Sequence, residues 1–176
     1  ESAKAVGLKP HTREQRAKFI EGAIARIAGM QGAEGGFRLW NGTDGAYEVW
    51  LTPYVTSFLA DAREAGFNVP DEMTKRAQKW MTDKLNGAAN QFSPLPAAVK
   101  PDANGRYDWR DYDLIRNSHQ RFAELAHIGY MLARDQKASL ASLRLLHDSY
   151  RDRTKSPLPL VHLGLALQLM GDQKRA

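Results

Sequence analysis

Six stretches of this sequence repeat apolar residues at spacings of three and four, and glycine, proline and capping residues lie between them. That period turns one face of a helix toward a core, whereas a half-buried strand would alternate strictly. Behind a Thr12-x-x-Gln15 capping box, Phe19, Ile20, Ala23, Ile24, Ile27 and Ala28 draw one stripe, which predicts a helix from about Arg13 to Gly29. Thr52 and Pro53 read as an N-cap and a first-turn proline, followed by Val55, Phe58, Leu59, Ala62 and Ala65 up to a stop at Gly66. Pro70 and Asp71 open a third helix, in which Met73, Ala77, Trp80, Met81 and Leu85 share a face until Asn86-Gly87.

From Ala88 to Asp113 the period is lost: Pro94, Pro96, Pro101 and Asn104-Gly105 interrupt it, which predicts a long loop over residues 88–113. The pattern resumes with Phe122, Leu125, Ala126, Gly129, Tyr130 and Ala133, and then with Leu140, Leu143, Leu146 and His147. After Ser156-Pro157 come Val161, Leu165, Ala166, Leu169 and Met170, with a stop at Gly171. Helices with mostly short connections pack as antiparallel hairpins, so the expected fold class is all-α, with the 176 residues forming one domain or a fragment of a larger ring.

Composition narrows the chemistry. With 43% apolar and 26% charged residues the chain is globular, and its net charge of +5 comes from Lys and Arg interleaved with 20 acids rather than from a run. A solvated basic surface is expected, not a nucleic-acid face. There is no Cys, hence no thiolate nucleophile, disulfide or Cys-based zinc site within these residues. No apolar run approaches the roughly 20 residues of a membrane span. The first residue is Glu1 rather than Met, the start expected of a processed or trimmed chain.

Candidate reactive groups are sparse. His119 and His127 stand two helical turns apart, about 12 Å along an axis, too far to share one metal. Gly35-Gly36 lacks the Lys-Ser or Lys-Thr of a phosphate loop, and no Gly-x-Ser-x-Gly elbow occurs. Asn41-Gly42-Thr43 matches a glycosylation acceptor formally and a tight turn physically; the turn is the expectation. Asp108, Asp111 and Asp113 gather among Tyr107, Trp109, Arg110 and Tyr112, a candidate surface site able in principle to hold a sugar. An inverting pair of carboxyls faces across a gap of about 6.5–9.5 Å, and near neighbours on one loop do not supply the opposite wall. Arg110 and Arg116 are equally placed to neutralise these carboxylates.

The segment from Met30 to Trp40 follows directly on the first helix, so glycine has to turn the chain there while Phe37 and Trp40 anchor the turn in the core. This turn, with Gln31, Gly35, Gly36, Phe37 and Trp40, resembles the recurring turns of the α/α toroids. That group includes terpene cyclases, prenyltransferase subunits and the thioester domains of complement and alpha-2-macroglobulin proteins. The residues that follow, Trp50-Leu51-Thr52-Pro53-Tyr54-Val55-Thr56-Ser57-Phe58-Leu59 and Ala62 through Pro70, look like the thioester-domain segment of bacterial alpha-2-macroglobulins. The resemblance runs more loosely through Ala123–Lys137 and Leu158–Asp172, and weakly between Ala88 and Ser118.

The resemblance implies a non-catalytic module, without cofactor, in a large periplasmic protein that is often lipid-anchored and traps proteases after cleavage of a bait region. It further implies as partners the other domains of the parent, the target proteases and a peptidoglycan synthase, which is often encoded nearby. The family's thioester joins Cys and Gln of a Cys-x-Glu-Gln motif that would fall upstream of Glu1, so zero Cys leaves open whether the parent carries it. No His sits in the motif by which complement-type relatives relay acyl groups. Six helices would be half a ring, with apolar faces left to associate. Two other readings stay open: an α/α-toroid enzyme acting on saccharides or isoprenoids through Asp108, Asp111 and Asp113, and a helical protein-binding scaffold without a trap.

Overall fold

The computed structural model describes residues 11–40, 48–95, 103–106, 108–154 and 156–176. The Asn41-Gly42-Thr43 turn, Pro96, Pro101 and Tyr107 lie outside the described residues. Those described are all-helical, with six α-helices and short 3-10 and π turns; among them extended backbone pairs only at an isolated bridge between Gln31 and Phe37. None of these helices is long and apolar enough to cross a membrane. The chain divides into two compact units, residues 1–77 and 78–176.

In the first unit, α1 (Arg13–Ala28) begins as the sequence predicts. The Thr12 hydroxyl accepts the Gln15 N–H at 3.2 Å, and the Gln15 side chain accepts the Thr12 N–H at 3.0 Å. Helix α2 (Leu51–Glu64) ends at Gly66, whose φ of +88° allows the Phe67 and Gly66 amides to reach back to the Ala62 and Arg63 carbonyls. Helix α3 (Asp71–Asn86) opens with Asp71 and Glu72, which favour its positive end, and Arg63 reaches across to Asp71 at 2.8 Å. Ile24, Phe37, Leu59, Ala62, Val69, Met73 and Ala77 form the core, with Ile20, Ile27, Leu51, Val55, Phe58 and Phe67 packed around it. Phe19 departs from the expected stripe; it is exposed and meets the His11 ring edge-on at 5.0 Å.

The predicted start of α2 needs correction. Trp50, not Thr52, occupies the N-cap position, and Thr52 is fully buried one residue inside the helix. Pro53 still sits in the first turn, where its missing N–H has no partner to lose.

The second unit holds the later part of α3, a 3-10 turn at Ala88–Gln91, α4 (Trp109–Arg134), α5 (Leu140–Leu145) and α6 (Pro157–Leu169). A π turn (Leu146–Tyr150) and a 3-10 turn (Arg151–Arg153) continue α5. The predicted 88–113 loop is therefore shorter than expected and ends at Asp108. The Asp108 carboxylate caps α4 by accepting the Arg110 N–H at 2.9 Å, and Trp109 through Asp113 are helical. These residues show no apolar period because the first turns of α4 are mostly solvent-facing, and burial sets in only around Ser118 and Phe122.

Helices α4 and α6 make the most extensive packing of this unit, around Phe122, Leu125, Leu132, Leu163, Ala166 and Leu167. At the end of α4, Gln136 takes a φ of +57°, the left-handed corner that glycine usually fills. Its side chain donates to the Leu169 carbonyl at 3.1 Å, and buried Gln78 donates to Asp135 and accepts from Lys137 beside it. Gly171, at φ +85°, ends α6 with the same bonding pattern as Gly66.

Candidate functional site

The Gln31–Phe37 turn is bonded to both α2 and α3. Gly35 stands at φ +102°, and a Cβ there would lie 2.3 Å from the Arg76 carbonyl oxygen and 2.7 Å from its carbon, so only glycine fits. The Gln31 side-chain amide donates to the Gly35 carbonyl at 2.9 Å and to the Met73 carbonyl at 2.8 Å, tying the turn to α3. From the same helix, the Arg76 guanidinium donates to the carbonyls of Gly32 at 2.6 Å and Ala33 at 3.1 Å. The Gly32 amide closes the turn on the Gly36 carbonyl at 2.9 Å.

Thr52 explains why α2 starts as it does. Its hydroxyl accepts the buried Phe37 N–H at 3.0 Å, and its carbonyl accepts the Thr56 hydroxyl at 2.8 Å. A buried amide without a partner costs about 1–3 kcal/mol, so this long-range bond commits the Thr52 hydroxyl to Phe37 and leaves the cap position to Trp50. The turn is thereby clamped from both α2 and α3, with Phe37 as the plug, 1% exposed.

The residues that carry the sequence motif divide into two groups. Gln31, Gly35, Gly36, Phe37 and Thr52 meet in the turn, and Leu51 packs on the core. Pro70 is exposed and accepts the Thr74 N–H as α3 begins. Trp40 corrects the expectation that it anchors the turn: it is 81% exposed, two residues past Arg38, whose amide donates to the Met30 carbonyl, and Leu39 between them is exposed as well. Trp50 at the N-cap of α2 and Tyr54 in its first turns are 43% and 65% exposed, so these aromatics present surface instead of filling volume.

In the second unit the three aspartates of the candidate surface site lie within two turns of a single helix. Asp108 is the cap, Asp113 pairs with Arg116 at 3.0 Å, and Asp111 sits in the first turn, where the helix end favours a carboxylate. Trp109 is exposed beneath the Arg110 guanidinium, 5.6 Å from its ring centre. Among the described residues, no group of three or more His, Asp or Glu is arranged to hold a metal.

Two groupings escape sequence reasoning. Arg76 reaches residues 44 and 43 positions earlier, with no local signal. Between α4 and α6, the rings of His127 and His162 stack with centroids 4.6 Å apart and planes 16° apart, and Tyr130 lies over His162 at 5.5 Å and 6°.

No protein-family model matches the sequence. The chain is 36% identical over 172 residues to the Alpha-2-macroglobulin of Xylella fastidiosa strain Temecula1, an alignment covering 98% of this chain and 9% of that protein. It is similar to the crystal structure of native alpha-2-macroglobulin from Escherichia coli spanning domain MG7 to the C-terminus, with TM-score 0.77, 32% identity and coverage of 98% of this chain and 24% of that one. It is similar also to trypsin-activated alpha-2-macroglobulin from Escherichia coli, with TM-score 0.78, 32% identity and coverage of 98% and 11%. The chain thus spans less than a tenth of its curated relative.

Proposed function

The chain is a homologue of the C-terminal region of bacterial alpha-2-macroglobulins, and from that premise we propose that it serves as a non-catalytic helical module of a larger protease-trapping inhibitor. The observation that carries this reading is its equal likeness to a native and a trypsin-activated relative, at TM-scores of 0.77 and 0.78. A module whose internal fold matches both states is repositioned when the trap springs, not rebuilt. The clamp on the Gln31–Phe37 turn supports this, because it ties the turn to two helices through main-chain groups. The exposed Trp40, Trp50 and Tyr54 then serve as surface for contact with other domains of the parent or with a captured protease.

In this reading the module turns over no substrate, and it takes no cofactor. The parent is periplasmic and lipid-anchored, works near a peptidoglycan synthase, and builds its full α/α ring with helices beyond these. Whether it captures proteases covalently depends on a Cys-x-Glu-Gln motif elsewhere in the parent. The roles of Asp108 as a cap and Asp113 as an ion-pair partner favour this reading over a glycosidase. The test is limited proteolysis of the full-length parent with trypsin, followed by small-angle scattering and assays of the captured protease on a small peptide and on a protein substrate. Compaction with peptide cleavage retained and protein cleavage suppressed is the expected result; an unchanged shape with full activity on protein refutes it.

A further inference from the structure

Helix α6 carries no Lys, Arg, Asp or Glu, and His162 is its only group that titrates near neutrality. That ring is set against two rings of α4, His127 at 4.6 Å and Tyr130 at 5.5 Å, within the most extensive helix contact of its unit. Among the described residues, neither histidine forms an ion pair. Charged groups on and next to these helices have partners of their own: Glu124, one turn before His127, with Arg121 and Gln120 at 3.0 Å, and Arg144 of α5 with Asp172 at 2.6 Å. His147 of the π turn faces Asp148 at 2.7 Å, and Arg134, further along α4, has contacts of its own. Ala176 packs on α6 at Gly164 through its backbone.

We propose that the His127–His162 stack is a proton-sensitive latch, holding α6 on α4 while both rings are neutral and releasing the first half of α6 when the medium turns acid. A proton on either ring faces the second ring, and among the described residues no carboxylate pairs with it. Burial, and then the neighbouring His162, push His127 down to about 4, and burial lowers His162 as well. The folded state therefore binds protons less readily than the unfolded chain, whose histidines titrate near 6.5. Stability from the stack is complete above 6.5 and is lost as pH falls toward 4.

The far end of α6 stays tethered through that window. Leu169 accepts from Gln136, and Asp172 binds Arg144 and Arg175 with its carboxyl held below its ordinary range, chiefly by the Arg144 hydrogen bond. Release is then a swing of the helix start, which bears the exposed Leu158 and Val161.

Hydrogen exchange of the whole chain, read by mass spectrometry on α6 and α2 peptides at about pH 7.5 and 4.5 and corrected for intrinsic rates, tests the latch. The wild type is expected to lose about tenfold of its α6 protection on acidification, a value reduced for the partly open site, with little change in α2. His127→Phe combined with His162→Phe, which keeps both rings but no proton site, should abolish most of that loss. Unchanged α6 protection in the wild type, or the same loss in the variant, overturns the proposal. If the variant does not fold, the imidazole C2-proton titration of the wild type decides: a His127 midpoint below about 6 supports the latch, and one at 6 or above overturns it.

Discussion

Gly35 and Gly66 make a matched pair for measuring what the Gln31–Phe37 turn costs to disturb. Both hold a left-handed φ, +102° and +88°, but a Cβ at Gly66 meets nothing within 4 Å, whereas one at Gly35 meets the Arg76 carbonyl at 2.3 Å. Gly66→Ala should carry only the backbone penalty, about 1–2 kcal/mol. Gly35→Ala carries that penalty and a collision with helix backbone, which has no side-chain end to swing aside. The turn must then shift away from α3, stretching the bonds from Gln31 to Met73 and from Arg76 to Gly32 and Ala33, each contributing about 1 kcal/mol. The sum is about 4–5 kcal/mol. With a urea dependence of about 2 kcal/mol/M, that lowers the unfolding midpoint by about 2–2.5 M, against about 0.5–1 M for Gly66→Ala. Far-UV circular dichroism of the urea transition is the assay. Equal destabilisation of the two variants, within about 0.5 kcal/mol, would refute the claim that close approach to Arg76 demands glycine at position 35.

Thr52→Val should cost about 1–3 kcal/mol in the same assay, because it strips the acceptor from the buried Phe37 amide, while Thr52→Ser retains most of the stability; equal losses would discredit that bond. Gln136→Gly relieves a left-handed glutamine and Gln136→Ala does not, although both lose the bond to Leu169, so the alanine variant should be the less stable by about 1 kcal/mol; thermal melts giving the reverse order would show that the corner is not strained. Asp172 has its folded carboxyl lowered by Arg144, so the stability it contributes is present above its unfolded titration and fades as pH falls through the folded one. Asp172→Asn should flatten the loss of melting temperature between about pH 5 and pH 2, and an acid limb as steep as that of the wild type would contradict this.

What the sequence discloses about this fold follows a physical divide. Signals confined to one turn of chain are legible: Thr12 with Gln15 caps α1, and Gly66 and Gly171 stop their helices, because each acts on amides or carbonyls a few residues away. Thr52 misleads because one hydroxyl serves equally as a helix cap or as acceptor for a distant amide, and only tertiary structure selects Phe37. Trp40 misleads because hydrophobicity does not say which apolar groups a chain keeps for its surface. The start of α4 is hidden since a helix with no buried face there has no apolar period to read. For the candidate site, the motif residues of the turn can be found from sequence, but Arg76 and the His127–His162 stack cannot, their partners lying dozens of residues away.

The clamp on the turn grips main-chain oxygens: Gln31 holds those of Gly35 and Met73, and Arg76 holds those of Gly32 and Ala33. Such a grip is indifferent to the side chains of the residues it holds. Substitutions at exposed Ala33 therefore leave the clamp in place, whereas changes at Gln31, Gly35 or Arg76 break it, and the surface of the turn can be altered for new neighbours without loosening the joint beneath it.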